Sequence, residues 1–192
     1  MPDTAPAGLE TGVPAPTVVV LIGDMALSRA GGDVIATHNL GSCLGVTLHD
    51  PVAGVGGILH AVFPEAHLAP GEELDNPWRF VDVALPLFLS AAHRMGARRE
   101  NARVTLFGCA SVSESLRDFS IGARNLQTAR AWLSMRGVSH VARHVGGRVG
   151  RTITLRIGTG EVWMKCPGEP ATRLQQGGRG NVATGLALGL EP

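Results

Sequence analysis

CLGVTLHDPVAGVGGILHAVFP, residues 43–64, is the stretch from which the fold is read. Leu44, Val46 and Leu48 alternate with Cys43, Gly45, Thr47 and His49, the period of two that a β-strand requires. Asp50-Pro51 and Gly54 then mark a turn. GGILHAVFP is a second strand, stopped by Pro64. The connection from Asp50 to Gly57 is short enough to make the two strands antiparallel neighbours. The return of the second strand brings His60 back toward Cys43. His49 shares a strand face with Cys43 but lies about 20 Å further along, at ~3.3 Å per residue.

Outward from this hairpin, strands dominate. TVVVLIGDMALS reads as a strand, a turn and a second short strand, and VIATH as another. ARVTLFG and SHVARHVGG are strand-like, and RTITLRIGTGEVWMK is a hairpin about Gly158 and Gly160. Two helices interrupt them. DNPWRFVDVALPLFLSAAHRMGA carries an N-cap at Asp75 or Asn76, Pro77 in the first turn, Gly96 as its stop, and Pro86 inside, which predicts a kink. IGARNLQTARAWLSMRG is amphipathic, with Leu126, Ala129 and Leu133 on one face and Gly137 as its stop. Strand runs with two inserted helices predict an α+β fold: one domain with a mixed, sandwich-like β core and two main helices.

Residues 1–16, rich in Pro, Ala and Gly, read as a flexible arm, residues 17–166 as one domain, and residues 167–192 as a weakly structured tail with an apolar LALGL end. The 17 basic and 16 acidic residues leave a net charge of +1, which excludes the dense basic face of a nucleic-acid binder. Tyr is absent and aromatics are 4% of the chain, too few for a base-stacking platform. No run approaches the ~18 apolar residues of a membrane span, and the start MPDTAPAGLETGVPAPT lacks the order of a signal peptide. The three cysteines, Cys43, Cys109 and Cys166, form no C-x-x-C pair. The expectation is a reduced, cytoplasmic protein without structural zinc or a disulfide framework.

Chemistry then rests on Cys43, which sits between a Gly-Ser pair and a strand. A thiol becomes a nucleophile when a histidine takes its proton. Of the seven histidines, His38 lies just across the Gly41-Ser42 turn, and His60 is brought near by the hairpin. Backbone N–H groups at a Gly41-Ser42 turn can hold an oxyanion, and Thr37 can fix an imidazole by a hydrogen bond. A cysteine at a strand start is nevertheless more often a small core residue than a nucleophile. A histidine within ILHAVF is likewise more often a hydrogen-bonded core residue.

Residues 37–64, THNLGSCLGVTLHDPVAGVGGILHAVFP, resemble the signature of the chemoreceptor glutamine deamidases, the CheD family of bacterial chemotaxis. LFGCA is similar to that family's F-G-G-A, IGARN to its I-G-x-R-N, and VGGRVGRT with TGEV to its G-G-x-x-G-R and closing hairpin. The resemblance spans roughly Val18 to Lys165. It implies Cys43 as the nucleophile, His60 as its histidine, 17 positions later, and Thr37 as the assisting residue, 6 positions before the cysteine. Gly41 and Ser42 become turn and oxyanion support.

The implied reaction hydrolyses a receptor glutamine to glutamate and ammonia through a thioester, with no metal or cofactor. The implied partners are the cytoplasmic helices of methyl-accepting chemotaxis receptors, and in some members a CheC-type phosphatase. A binding module for such a phosphatase, or a thiol deamidase for another intracellular protein, are the alternatives. Arg148 or Arg151 is expected at the surface or facing acidic receptor helices. The chain departs from the family at Cys109, where the family has glycine, and at Ser111–Ser120, whose Glu114, Arg117 and Asp118 are expected to be exposed and to tune partner choice.

Overall fold

The computed structural model describes residues 13–68, 71, 75–111, 121–136 and 142–174. Ten strands and two helices are found among them: β1 Val18–Val20, β2 Asp24–Ser28, β3 Val34–Leu40, β4 Leu44–Asp50, β5 Val55–Ala61, α1 Val81–Arg94, β6 Arg103–Gly108, α2 Ile121–Met135, β7 Ala142–Val145, β8 Arg151–Arg156, β9 Val162–Lys165 and β10 Thr172–Leu174.

The strands form two five-stranded sheets, β1-β3-β8-β9-β10 and β2-β5-β4-β6-β7. Each mixes one parallel pair, β1 with β3 or β6 with β7, with antiparallel neighbours. One core lies between the sheets and contains Val20, Ile35, Leu40, Ile58, Phe107, Ile153 and Leu155. The other joins Leu44, Val46, Leu48, Leu59 and Leu106 to Val81, Leu85 and Phe88 of α1 and Ala129 and Leu133 of α2. The order of layers is therefore sheet, sheet, helices. It realises the α+β, sandwich-like expectation with two main helices.

This layering explains β4 and β5. Both sit inside their sheet, with a second sheet over one face and helices over the other. Every residue of both strands is consequently buried, although the sequence of β4 alternates as a one-sided strand would. The expected hairpin is present, with Leu44 paired to Ala61, Gly45 to His60 and Asp50 to Val55.

α1 begins later than its cap signal. The Asn76 side chain accepts from Trp78 N, but it caps a single 3-10 turn, Pro77–Arg79. Phe80 is then extended, forms a bridge with Phe63, and only afterwards does the helix start. The Phe63 pairing interrupts what the sequence presents as one helical run. Pro86 lies within α1, and Gly96 follows its end with φ +103°. The stop expected at Gly137 lies outside the described residues. So do Val112–Ser120, with Glu114, Arg117 and Asp118, and the apolar end of the tail. Past residue 166 the first sheet gains another strand, since Thr172–Leu174 pairs with β9.

Candidate active site

The chain changes sheets at the candidate nucleophile. β3 ends at Leu40 in the first sheet, Gly41, Ser42 and Cys43 make the crossing, and β4 starts at Leu44 in the second. A side chain at such a crossing is anchored on both sides yet stands at the rim. Cys43 is accordingly only partly buried, packed against the inter-sheet core.

His60 projects into the same inter-sheet space. It pairs with Gly45, two residues after Cys43, so the thiol and imidazole are diagonal neighbours on one sheet face. Gly45 places no side chain between them. His60 is fully buried, and its backbone is fixed from the far side, Gly23 N–H donating to His60 O at 2.9 Å.

Thr37 reaches across from the other sheet. Its Oγ1 lies 2.8 Å from His60 Nδ1 and 2.8 Å from Val20 O. A hydroxyl has one hydrogen and Val20 O can only accept, so Thr37 donates to Val20 O. His60 Nδ1–H must then donate to Thr37 Oγ1. The tautomer follows: Nε2 carries the lone pair. That Nε2 is buried and has no hydrogen-bond partner among the described residues.

Burial alone pushes the His60 imidazole down from 6.5 to about 4. Burial also pushes the Cys43 thiol up, with its own backbone N–H pulling weakly the other way. A charged histidine beside a thiol ordinarily lowers its pKa. In the folded protein desolvation wins on both groups, and at neutral pH the resting pair is a thiol beside a neutral imidazole.

The other histidines weighed in the sequence do not enter this site. His38 is exposed and pairs with Thr152 at 3.3 Å. His49 is buried at the opposite end of β4 and donates Nε2–H to Ile157 O at 2.9 Å. Of the two arginines named for the surface, Arg148 is exposed and Arg151 half-buried. The Arg151 guanidinium donates to Gly108 O at 2.9 Å and to Gly146 O, tying β6 to the β7 turn. The reason is position: Arg151 opens β8 opposite Leu40, and both carbonyls are within its reach.

Cys109 lies beside the site, and Cys109 N–H donates to Cys43 O at 2.8 Å. Its φ is +54°, in the left-handed region that favours glycine. Its thiol is pushed up to about 12, first by burial and then by Cys43 nearby, so it stays protonated at neutral pH. Asn125 is the site residue that sequence reasoning missed. It donates from Nδ2 to Ser42 O at 3.0 Å and to Val62 O at 2.8 Å. Two signals were available: it closes IGARN, the motif similar to I-G-x-R-N, and it stands four residues before Ala129 and eight before Leu133, a polar residue on an apolar helix stripe.

Among the described residues no cluster of His, Cys, Asp and Glu is suited to a metal ion, and no helix is long and apolar enough to cross a membrane.

A partly exposed cysteine and a tautomer-fixed histidine share one sheet face of a two-sheet, one-helix-layer scaffold, a candidate thiol–imidazole site. Comparison with known proteins gives the family. The family described as CheD chemotactic sensory transduction matches residues 62–166. The probable chemoreceptor glutamine deamidase CheD of Pyrococcus abyssi is 42% identical over 150 residues, covering 77% of this chain and 90% of that protein. The protein of the same name from Pyrococcus horikoshii is 41% identical over 150 residues, 77% of this chain and 91% of its own. The probable chemoreceptor glutamine deamidase CheD 1 of Syntrophus aciditrophicus is 34% identical over 157 residues, 82% of this chain and 98% of its own. The chain belongs to the CheD family.

Proposed function

We infer that this chain is a chemoreceptor glutamine deamidase, acting in the cytoplasm on glutamine side chains of methyl-accepting chemotaxis receptors. The names of its relatives support the activity. One geometric observation supports the chemistry: the Thr37–His60 hydrogen bond of 2.8 Å, which leaves an unpartnered Nε2 on the sheet face that carries Cys43.

In the proposed reaction the Cys43 sulfur attacks the carboxamide carbon while His60 Nε2 takes the thiol proton. A C–S bond forms, and the carboxamide oxygen becomes an oxyanion held by the N–H groups of Ser42 and Cys43. The C–N bond then breaks, and His60 returns its proton to the nitrogen, which leaves as ammonia. Water, deprotonated by His60, attacks the thioester; the C–S bond breaks, and the products are glutamate and the restored thiol.

A neutral starting pair suits this sequence. His60 is unprotonated at neutral pH, and the proton moves only as the C–S bond forms. Thr37 holds the ring throughout and stabilises the transient imidazolium through Nδ1–H. A purely docking role for a CheC-type phosphatase would leave this buried, oriented imidazole without a use.

The test is mass spectrometry of receptor peptides from cells that contain the protein, lack it, or carry Cys43→Ala. Glutamine-to-glutamate conversion, a shift of about 1 Da per site, is expected only with the unaltered protein. Equal conversion in all three strains would remove the assignment.

A further inference from the structure

The nucleophile turn has all three of its carbonyls tied down. Ala110 N–H donates to Gly41 O and Cys109 N–H to Cys43 O, each at 2.8 Å. The middle carbonyl, Ser42 O, is taken by the Asn125 side chain. The N–H groups of Ser42 and Cys43 remain, and no backbone carbonyl among the described residues accepts from either.

Asn125 does a second thing with the same amide group. Its other N–H goes to Val62 O, just past the end of β5 and two residues beyond His60. Extending the Leu44–Ala61 pairing by one step sets Val62 opposite Cys43. One side chain therefore links the backbone immediately before the nucleophile to the backbone of the strand that carries the base.

The amide has only one sensible orientation, because both neighbours are acceptors. Its Oδ1 points elsewhere and is buried without a partner among the described residues, so the two donated bonds, not a general need for polarity, account for an asparagine here. The helix itself is pressed close. A Cβ on Gly122, one turn earlier in α2, would stand 2.7 Å from the Cys109 carbonyl carbon. Asn125 is fully buried and has little room to move.

We propose that Asn125 is a positioning residue for deamidation: by tying Ser42 O to Val62 O it sets the alignment of Cys43 with His60 and aims the Ser42 and Cys43 N–H groups at the oxyanion. This rests on the proposed function, with Cys43 as nucleophile.

Asn125→Asp keeps the shape and removes both donors, and Asn125→Leu removes polarity as well. The substrate is p-nitrophenyl acetate, a small ester that needs the thiol but no receptor docking, and Cys43→Ala is run beside the variants. Folded Asn125→Asp and Asn125→Leu proteins are expected to lose about 10- to 100-fold in kcat with KM within about 3-fold. Asn125→Ser, which keeps one donor, should fall between them and the unaltered protein. The pH profile of Cys43 alkylation by iodoacetamide supplies a readout that stability alone does not move. A loosened turn admits water, so the midpoint should drop toward the ordinary thiol range of about 8.5.

Unchanged kcat and an unchanged alkylation midpoint in the folded variants would overturn the proposal. So would failure of all three variants to fold, which would assign Asn125 to structure alone. Persisting ester turnover in Cys43→Ala would instead remove the proposed function beneath it.

Discussion

Two buried histidines stand at opposite ends of the β4–β5 hairpin, and on most physical measures they are alike. His60 is 0% and His49 3% exposed. Both face the inter-sheet side, and burial lowers the pKa of both. Each has one ring nitrogen with a hydrogen-bond partner and one without, among the described residues. They differ in which nitrogen is left over and in what stands beside it. His60 donates from Nδ1 and keeps an Nε2 lone pair on the face that carries Cys43. His49 donates from Nε2, and its Nδ1 is closed off by Gly160, where a Cβ would stand 2.2 Å away. Burial, a depressed pKa and a fixed tautomer thus do not mark a catalytic base; a lone pair left free beside a nucleophile does.

The comparison breaks first at the thiol. Cys43→Ala is expected to reduce receptor deamidation to background while cooperative unfolding persists, and Cys166→Ala to leave turnover unchanged. Turnover by a folded Cys43→Ala protein would make His60 as structural as His49. His60→Ala should cost about 10²- to 10⁴-fold in kcat, the usual range for a general base. His49→Ala should instead cost about 2 kcal/mol of stability in urea unfolding, through its cavity and the lost Ile157 bond, with kcat of the folded protein within about 3-fold. A reversal of these two outcomes would exchange the roles of the histidines. Thr37→Val should lower kcat about 10- to 100-fold, because Nδ1–H loses its acceptor and the ring its orientation. Thr37→Ser, which keeps the oxygen, should recover most of it.

Acid sharpens what the histidines share. The folded-state pKa of His60 lies near 4 and the unfolded value near 6.5, so the unfolded chain binds the proton first. Stability is therefore fully present above about pH 6.5 and is lost as pH falls through about 4, by roughly 3 kcal/mol for His60 at ~1.4 kcal/mol per unit. His49 contributes with the same sign. Urea titrations from pH 7 to 4 should show this decline, with a smaller slope in His60→Gln. An equal slope in that variant would mean that His60 is not the buried neutral group described. Turnover should hold down to about pH 5 and fall only as His60 protonates, wherever the protein remains folded.

The hairpin, and with it the nearness of His60 to Cys43, was legible because two neighbouring strands and a short turn are local facts. α1 and α2 were legible in outline, since their apolar periods are local as well. The pairing of β1 with β3, the sheet change at Gly41–Cys43 and the burial of both faces of β4 were not. They depend on strands brought together from distant parts of the chain. The same limit hid Asn125, which is 83 residues from the Ser42 carbonyl it holds, and Arg151, whose guanidinium turns inward to Gly108 and Gly146 instead of outward to a partner. Thr37 could be named beforehand, but its direction of donation depends on Val20, a residue with no polar side chain to announce it.

The smallest expected effect concerns a residue whose oddity only the backbone reveals. Cys109 has φ +54°, a conformation that costs an L-residue roughly 1 kcal/mol or more and glycine almost nothing. Its side chain returns part of this, being 6% exposed and packed in the helix-side core. Cys109→Ala should therefore lose the packing and keep the strain. Cys109→Gly should lose the buried Cβ as well and shed the strain, at the expense of a more flexible unfolded chain. The difference between the two variants is then the backbone term less the packing of one Cβ, because the buried sulfur is missing from both. Glycine is expected to be the more stable by about 1 kcal/mol in urea unfolding. Equal stability, or a more stable alanine, would mean that the turn after β6 relaxes out of the left-handed region once the thiol is gone. In that case the Cys109 N–H bond to Cys43 O would not be the fixed tie on which the nucleophile turn depends.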